Sequence, residues 1–152
     1  MAQADAAALL NYVANQPEVL VGVAPGHPRL DLAPFLENPE NLMLGDERGL
    51  VLFAHIADGV YEIHYLLTNA LTGPQKLMAI KTAIASVFTN RGAYAIVGST
   101  PRDNRAARAV NRALGGTPVC ESVDLQGRHH IRYVLERSAW LPFSPLPLPL
   151  LV

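Results

Sequence analysis

A change of hydrophobic period in the middle of the chain limits its possible folds more than any other feature. Residues 60–68 alternate. Tyr61, Ile63, Tyr65 and Leu67 fall on one side of an extended strand, and Glu62, His64, Leu66 and Thr68 on the other. After residues 69–74 the period becomes helical. From about Gln75 to Thr89, the side chains Leu77, Ile80, Ile84, Val87 and Phe88 share one face. Asn90-Arg91-Gly92 ends that segment, and a short apolar strand follows over 93–98. Strand, helix, strand in this order calls for a parallel pair joined by a right-handed crossover. The expected class is therefore α/β, with helices covering the sheet.

The flanks add elements around this unit. Residues 5–15 carry Ala7, Leu9, Leu10, Val13 and Ala14 in a helical pattern that Pro17 is expected to stop. A connection rich in Pro and Gly follows, and residues 31–36 form a short second helix before Asn38-Pro39. Strands are expected over 41–44 and 49–56, set off by Gly45-Asp46 and by the hairpin signal Asp58-Gly59. Downstream, Thr100 reads as a helix cap, with Pro101 at the first helical position and Asp103 three residues after the cap. That helix runs to Leu114 and stops at Gly115-Gly116. Two last strands, 119–125 and 130–136, close around Gln126-Gly127.

The end of the sequence reads differently. Residues 140–152 place proline at 142, 145, 147 and 149 among leucines, which suits an extended polyproline-like arm. The division is thus a domain over 1–139 and an arm over 140–152. The apolar side chains of the arm need cover, and reciprocal exchange of arms in a homodimer would supply it.

Composition removes several classes. The chain has 152 residues, half of them hydrophobic, enough for a single core without disulfides. A net charge of −1 gives no bulk field for nucleic acid or anionic membranes. The sequence has no signal-peptide pattern and no apolar run long enough for a membrane span. Cys120 is the single cysteine; it reads as a buried structural thiol and points to a reducing, cytoplasmic setting. His129-His130 lacks ligand partners at metal spacing, so no metal is expected.

The order of elements, together with Asn104-Arg-Ala-Ala107-Arg-Ala-Val-Asn111-Arg-Ala-Leu114-Gly115-Gly116, resembles the GCN5-related N-acetyltransferases. More narrowly, Asn15-Gln-Pro17-Glu-Val19, Gly59-Val-Tyr61-Glu-Ile-His64 and Val87-Phe88-Thr89 are similar to the acetyltransferase-like proteins of phages and prophages. The resemblance covers about residues 5–137. It implies a mixed, twisted sheet splayed between strands 60–68 and 93–98, with helices on both faces. It also implies acetyl-CoA as acyl donor and an amine as acceptor. The pantetheine amides would pair with the strand carrying Leu66, Leu67 and Thr68, like an added strand. The pyrophosphate would lie at the start of the next helix, near Gly73, Gln75 and Lys76, where amides and the helix dipole favour an anion. Of that family's glycine loop, Thr72-Gly73-Pro74-Gln75-Lys76-Leu77 keeps Gly73 alone. Asn111 stands where many members have the tyrosine that protonates the leaving thiolate, and reads as a residue on the helix flank.

Candidate chemistry follows from residue type. Amine acylation needs a proton acceptor, and Glu62 and His64, two apart on one strand face, are the candidates. Asn104 is expected at the second wall of the cleft, touching the donor or capping structure. Arg105, Arg108 and Arg112 form a basic stripe opposite Ala106, Val110 and Ala113, suited to adenosine phosphates or an acidic partner. Three functions stay open: an N-acyltransferase, a non-catalytic binding or virion-associated part with the same fold, and a CoA sensor without turnover.

Overall fold

In the computed structural model, which describes residues 1–140, six strands form one sheet in the order β1-β2-β3-β4-β6-β5. They are β1 (Leu42–Asp46), β2 (Gly49–Ala57), β3 (Val60–Leu67), β4 (Ala95–Pro101), β5 (Thr117–Val123) and β6 (His129–Glu136). The β3–β4 pair is parallel and the others are antiparallel, as the change of period required. Of the arm expected over 140–152 only Trp140 is among the described residues, and the homodimer built on that arm lies outside them.

Gly59 sets the β2–β3 hairpin. It holds φ at 70°, and a Cβ there would lie 2.5 Å from the Tyr94 ring, so both conformation and space demand glycine. One face of the sheet packs against α3 (Gly73–Asn90) and α4 (Arg105–Ala113). Ile80, Ile84, Val87 and Phe88 of α3 are buried with Phe53, Tyr61, Ile63 and Ile96. Each such side chain contributes about 1.5–3 kcal/mol before ordering costs. The opposite face of β2 and β3 buries Leu50, Leu52 and Leu66 under α1 (Gln3–Ala14) and α2 (Pro17–Val23), through Leu10, Val13, Ala14 and Val19. Helices therefore cover both faces.

The structure corrects several expectations. Pro17 opens α2 at its first helical position; its missing N–H has no intrahelical partner to lose there. The segment after it forms a 3-10 helix over Ala33–Glu37. Thr100 and Pro101 end β4, opposite Ile131 and His130, and the cap of α4 is Asn104. Trp140 ends a short α5 (Arg137–Trp140) and packs into the main core, its ring centroid 6.4 Å from that of Phe88. Cys120 is exposed because β5 is the outermost strand and all seven of its residues are solvent-accessible. Among the described residues no helix is long and apolar enough to cross a membrane.

Two asparagines one turn apart fix the connection that follows α2. Asn15 donates to the Leu30 carbonyl at 2.8 Å and accepts from the Leu30 N–H at 2.7 Å. Asn11 accepts from the Leu32 N–H at 2.8 Å and donates to Asp31 at 2.9 Å. That second contact and the Ala33 N–H hold the Asp31 carboxyl below the ordinary aspartate range. Asn15→Ala leaves both Leu30 groups without their partner. It should lower unfolding stability by about 1–3 kcal/mol, read as a shift of the denaturant midpoint at constant slope.

Candidate active site

The site starts where two strands part. β3 and β4 are in register over three pairs, Val60↔Ala95, Tyr61↔Ile96 and Glu62↔Val97. Past them, β3 stays with β2 as far as Leu67↔Gly49, and β4 stays with β6 as far as Pro101↔His130. Each strand follows its antiparallel neighbour, and a cleft of about 760 Å³ opens between them. Its walls are Ile63 to Leu67 of β3, Gly98 to Pro101 of β4, the α2 segment from Glu18 to Ala24, Asn104 at the head of α4, and the tip of the β5–β6 hairpin.

At the point of divergence stands a linked group of charged side chains. Glu62 meets His64 Nε2 at 2.9 Å and accepts from Arg132 at 3.2 Å. Arg132 comes from β6, so its guanidinium reaches past β4 to tie the two halves of the sheet together. His64 is half exposed and lines the cleft, whereas Glu62 does not line it. The pairing leaves the Nδ1 of His64 as the imidazole nitrogen free to take a proton.

Tyr65, which lines the cleft, reaches Asn111 of α4 in the interior. The Tyr65 hydroxyl donates to Asn111 Oδ1 at 3.4 Å, and Asn111 Nδ2 donates to Thr100 Oγ1 at 2.7 Å. Asn111 is buried and not on a solvated flank; the β4 hydroxyl and the tyrosine supply its partners. Burial pushes the Tyr65 phenol above its ordinary range, so it stays neutral and keeps its proton near neutral pH.

The expected donor-binding residues have separate environments. Leu66 and Leu67 line the cleft. Thr68 is buried and its hydroxyl donates to the Arg48 carbonyl at 2.6 Å. At the start of α3, Thr72 and Gln75 form a reciprocal capping box. The Gln75 N–H is held by Thr72 Oγ1, and the Lys76 N–H by the Thr72 carbonyl. Pro74 has no N–H, so Gly73 is left with the one amide that the cap does not use. Lys76 Nζ lies 3.4 Å from Asn69 Oδ1. Asn104 caps α4 by accepting from the Ala107 N–H at 3.0 Å and lines the cleft. Its own amide N–H groups are not engaged by that cap bond.

Along the basic stripe, Arg108 lines one recess with Arg105 and a second with Arg112, Cys120 and Glu121. Arg108 also donates to the Arg102 carbonyl at 3.1 Å. Ala106 and Ala113, expected opposite the stripe, are exposed. At the hairpin tip, Asp124 accepts from the Arg128 and Gln126 N–H groups and pairs with His130 at 2.9 Å. The His130 ring, then those amides, hold the Asp124 carboxyl below the usual aspartate range. Among the described residues no cluster of three or more His, Cys, Asp or Glu side chains could hold a metal.

Sequence reasoning found the Glu62–His64 face because a strand alternates. It missed Arg132, 70 residues from its partner, and it missed α2 as a wall. Tyr65 packs against the main core, on the side of β3 that alternation gives it, and also lines the cleft.

No protein-family model matches the sequence, and no curated protein does. Solved structures do match. A ribosomal-protein-S5-alanine acetyltransferase from Vibrio fischeri superposes with TM-score 0.68 at 17% identity, over 93% of each chain. The RimJ protein of Mycobacterium smegmatis, solved with CoA-disulfide, gives TM-score 0.68 at 18% identity, over 93% of this chain and 81% of that one. A spermidine/spermine N-acetyltransferase from Vibrio cholerae gives 0.63 at 16% identity, over 73% of each. A mixed six-stranded sheet, parted between its parallel strands and covered by helices on both faces, is common ground with these enzymes; the chain has the fold of the GCN5-related N-acetyltransferases.

Proposed function

We propose that this protein is an acyl-CoA-dependent N-acyltransferase that moves an acetyl group from acetyl-CoA to an amine. The observation that carries the reading is the unpaired edge of β3 beyond Glu62. A backbone edge facing a cleft needs hydrogen-bond partners, and an extended ligand with amides along its length supplies them as an added strand would. The volume of the cleft and its mixed lining suit the pantetheine arm of such a donor.

The donor supplies an activated acyl carbon on sulfur; the chain must position it and move protons. Leu66 and Leu67 offer backbone groups and apolar cover along one wall. Asn104 offers a side-chain N–H from the other. Gly73 and Lys76 give one amide and one cation at the head of α3. As the amine nitrogen bonds to the acyl carbon, His64 Nδ1 accepts its proton while Glu62, anchored by Arg132, fixes the ring through Nε2. Glu62 is thus a positioning residue in this scheme. As the carbon–sulfur bond breaks, the sulfur needs a proton. Tyr65 is the neutral phenol in the cleft wall, and the proton held by His64 restores it through solvent. The solved structures named for spermidine and for a ribosomal-protein alanine suggest polyamines and alanine-bearing peptides as first acceptors to try.

Two outcomes check this reading. Titration calorimetry with acetyl-CoA should show saturable heat, and the ligand should raise the melting temperature by mass action. Absence of both at millimolar ligand would favour a non-catalytic protein with this fold. With an acceptor in hand, His64→Gln should lower kcat by ~10²–10⁴ with donor affinity nearly intact. Unchanged turnover in His64→Gln removes the base from the scheme.

A further inference from the structure

Acylation of a primary amine calls for two proton acceptors. Near neutral pH the amine arrives as an ammonium with three protons on nitrogen, and the amide product keeps one. One proton must leave before the nitrogen lone pair can attack, and a second leaves as the carbon–nitrogen bond forms. His64 Nδ1 serves one of these transfers.

A second carboxylate–imidazole pair stands across the cleft. Glu62 and Arg132 tie β3 to β6. His64 lies two residues after Glu62, and His130 two residues before Arg132, so alternation puts all four on one face of the sheet. β3 is parallel to β4 and β6 antiparallel to it, so both histidines lie beyond the tie, where the strands part. Each ring is held through Nε2 at 2.9 Å, His64 by Glu62 and His130 by Asp124. Both rings line the cleft. Asp124 is fixed in turn by the N–H groups of Gln126 and Arg128. With Nε2 donating to Asp124, the lone pair of His130 is on Nδ1, which has no hydrogen-bond partner among the described residues. The other groups around the ring leave Nδ1 open. Arg128 and Arg132 lie two residues away on either side, β4 and β5 place Pro101 and Ser122 opposite, and Glu18 and His27 face it from the α2 wall.

We infer that His130 is a second catalytic base, which takes the first proton from the acceptor ammonium, and that Asp124 is its positioning residue. The inference rests on the acyl-transfer reading. β6 is on the far side of β4 from the strand assigned to the donor, so a group on it meets the incoming acceptor. An N–H bond of the ammonium breaks, its electron pair stays on nitrogen, and the proton passes to His130 Nδ1 and then to solvent. The neutral amine attacks the acyl carbon. As that bond forms, His64 Nδ1 takes the second proton. The carbon–sulfur bond breaks with its pair on sulfur, and Tyr65 protonates the sulfur. One proton is released to solvent per turnover.

The acceptor probe is an alanyl peptide, whose α-ammonium titrates near pH 8. Its kcat/KM at saturating acetyl-CoA is compared at about pH 7 and about pH 9.5. An enzyme without the first base can use only the neutral amine, about a tenth of the peptide at the lower pH and nearly all of it at the higher. His130→Gln should therefore lose about 10-fold against wild type at pH 7 and come within about 2-fold of it at pH 9.5. Asp124→Asn keeps an acceptor oxygen for the turn and should show the same trend at smaller size. His64→Gln should stay low at both. A loss in His130→Gln that is equal at the two pH values, or no loss, while wild type transfers acetyl, overturns the second base and leaves acyl transfer standing. A wild type that binds acetyl-CoA but acetylates neither the peptide nor spermidine removes the acyl-transfer reading and the role of His130 with it. One readout needs no turnover: imidazole ¹⁵N shifts of the wild-type chain should place the proton of the neutral His130 ring on Nε2, and a proton on Nδ1 overturns the assignment.

Discussion

Three residue pairs join the two halves of the sheet through backbone pairing, and the candidate site depends on there being no more. Each central strand has a full-length antiparallel neighbour, so little is lost when the parallel pairing stops early: Leu67 still faces Gly49, and Pro101 still faces His130. Antiparallel pairs are also slightly more stable per residue than parallel ones. The strands part without any break in the core beneath, because α3 spans the junction and packs on both Ile63 and Ile96. Arg132 and Glu62 tie the halves together at the vertex, where further pairing would have closed the cleft.

This arrangement explains where the candidate groups lie. Glu62 occupies the last paired position, His64 the second residue beyond it and Tyr65 the third. Alternation along β3 sends His64 toward the α2 side and Tyr65 toward Asn111 on α4, so the proposed proton acceptor and proton donor both line the cleft. The acceptor is oriented by a carboxylate and is half exposed to water, whereas the donor is desolvated and held neutral. The two groups to which the proposed scheme gives opposite duties thus have different environments at neighbouring positions of one strand. Arg102, Arg105, Arg108 and Arg128 line a separate recess between the end of β4, the first turns of α4 and the β5–β6 turn.

The central unit was legible because its signals are local. Alternation over 60–68, a helical face over 75–89 and the Asp58-Gly59 turn each span a few residues and agree with one another. The Pro signals misled because proline has two grammars. Pro17 could end one helix or begin the next, and the outcome depended on whether Val19 found a buried place under the sheet, which it did. Pro101 looked like the start of a helix, but Thr100 before it is buried against Asn111, which holds the segment in β4. Cys120 was misjudged for a related reason. Nothing within Thr117–Val123 says that the strand is outermost; strand order is a property of the whole sheet. The role of Arg132 was hidden because it and Glu62 are far apart in sequence and near in space.

The most direct check of the central claim is amide hydrogen exchange along β3, measured with and without saturating acetyl-CoA. If the donor lies along the unpaired edge, amides of residues 63–67 that face β4 should gain protection of at least 10-fold, while those of residues 60–62, already paired with β4, should change little. Equal exchange at residues 63–67 in both states, under conditions where calorimetry shows the ligand bound, would contradict the account and place the donor elsewhere on the protein.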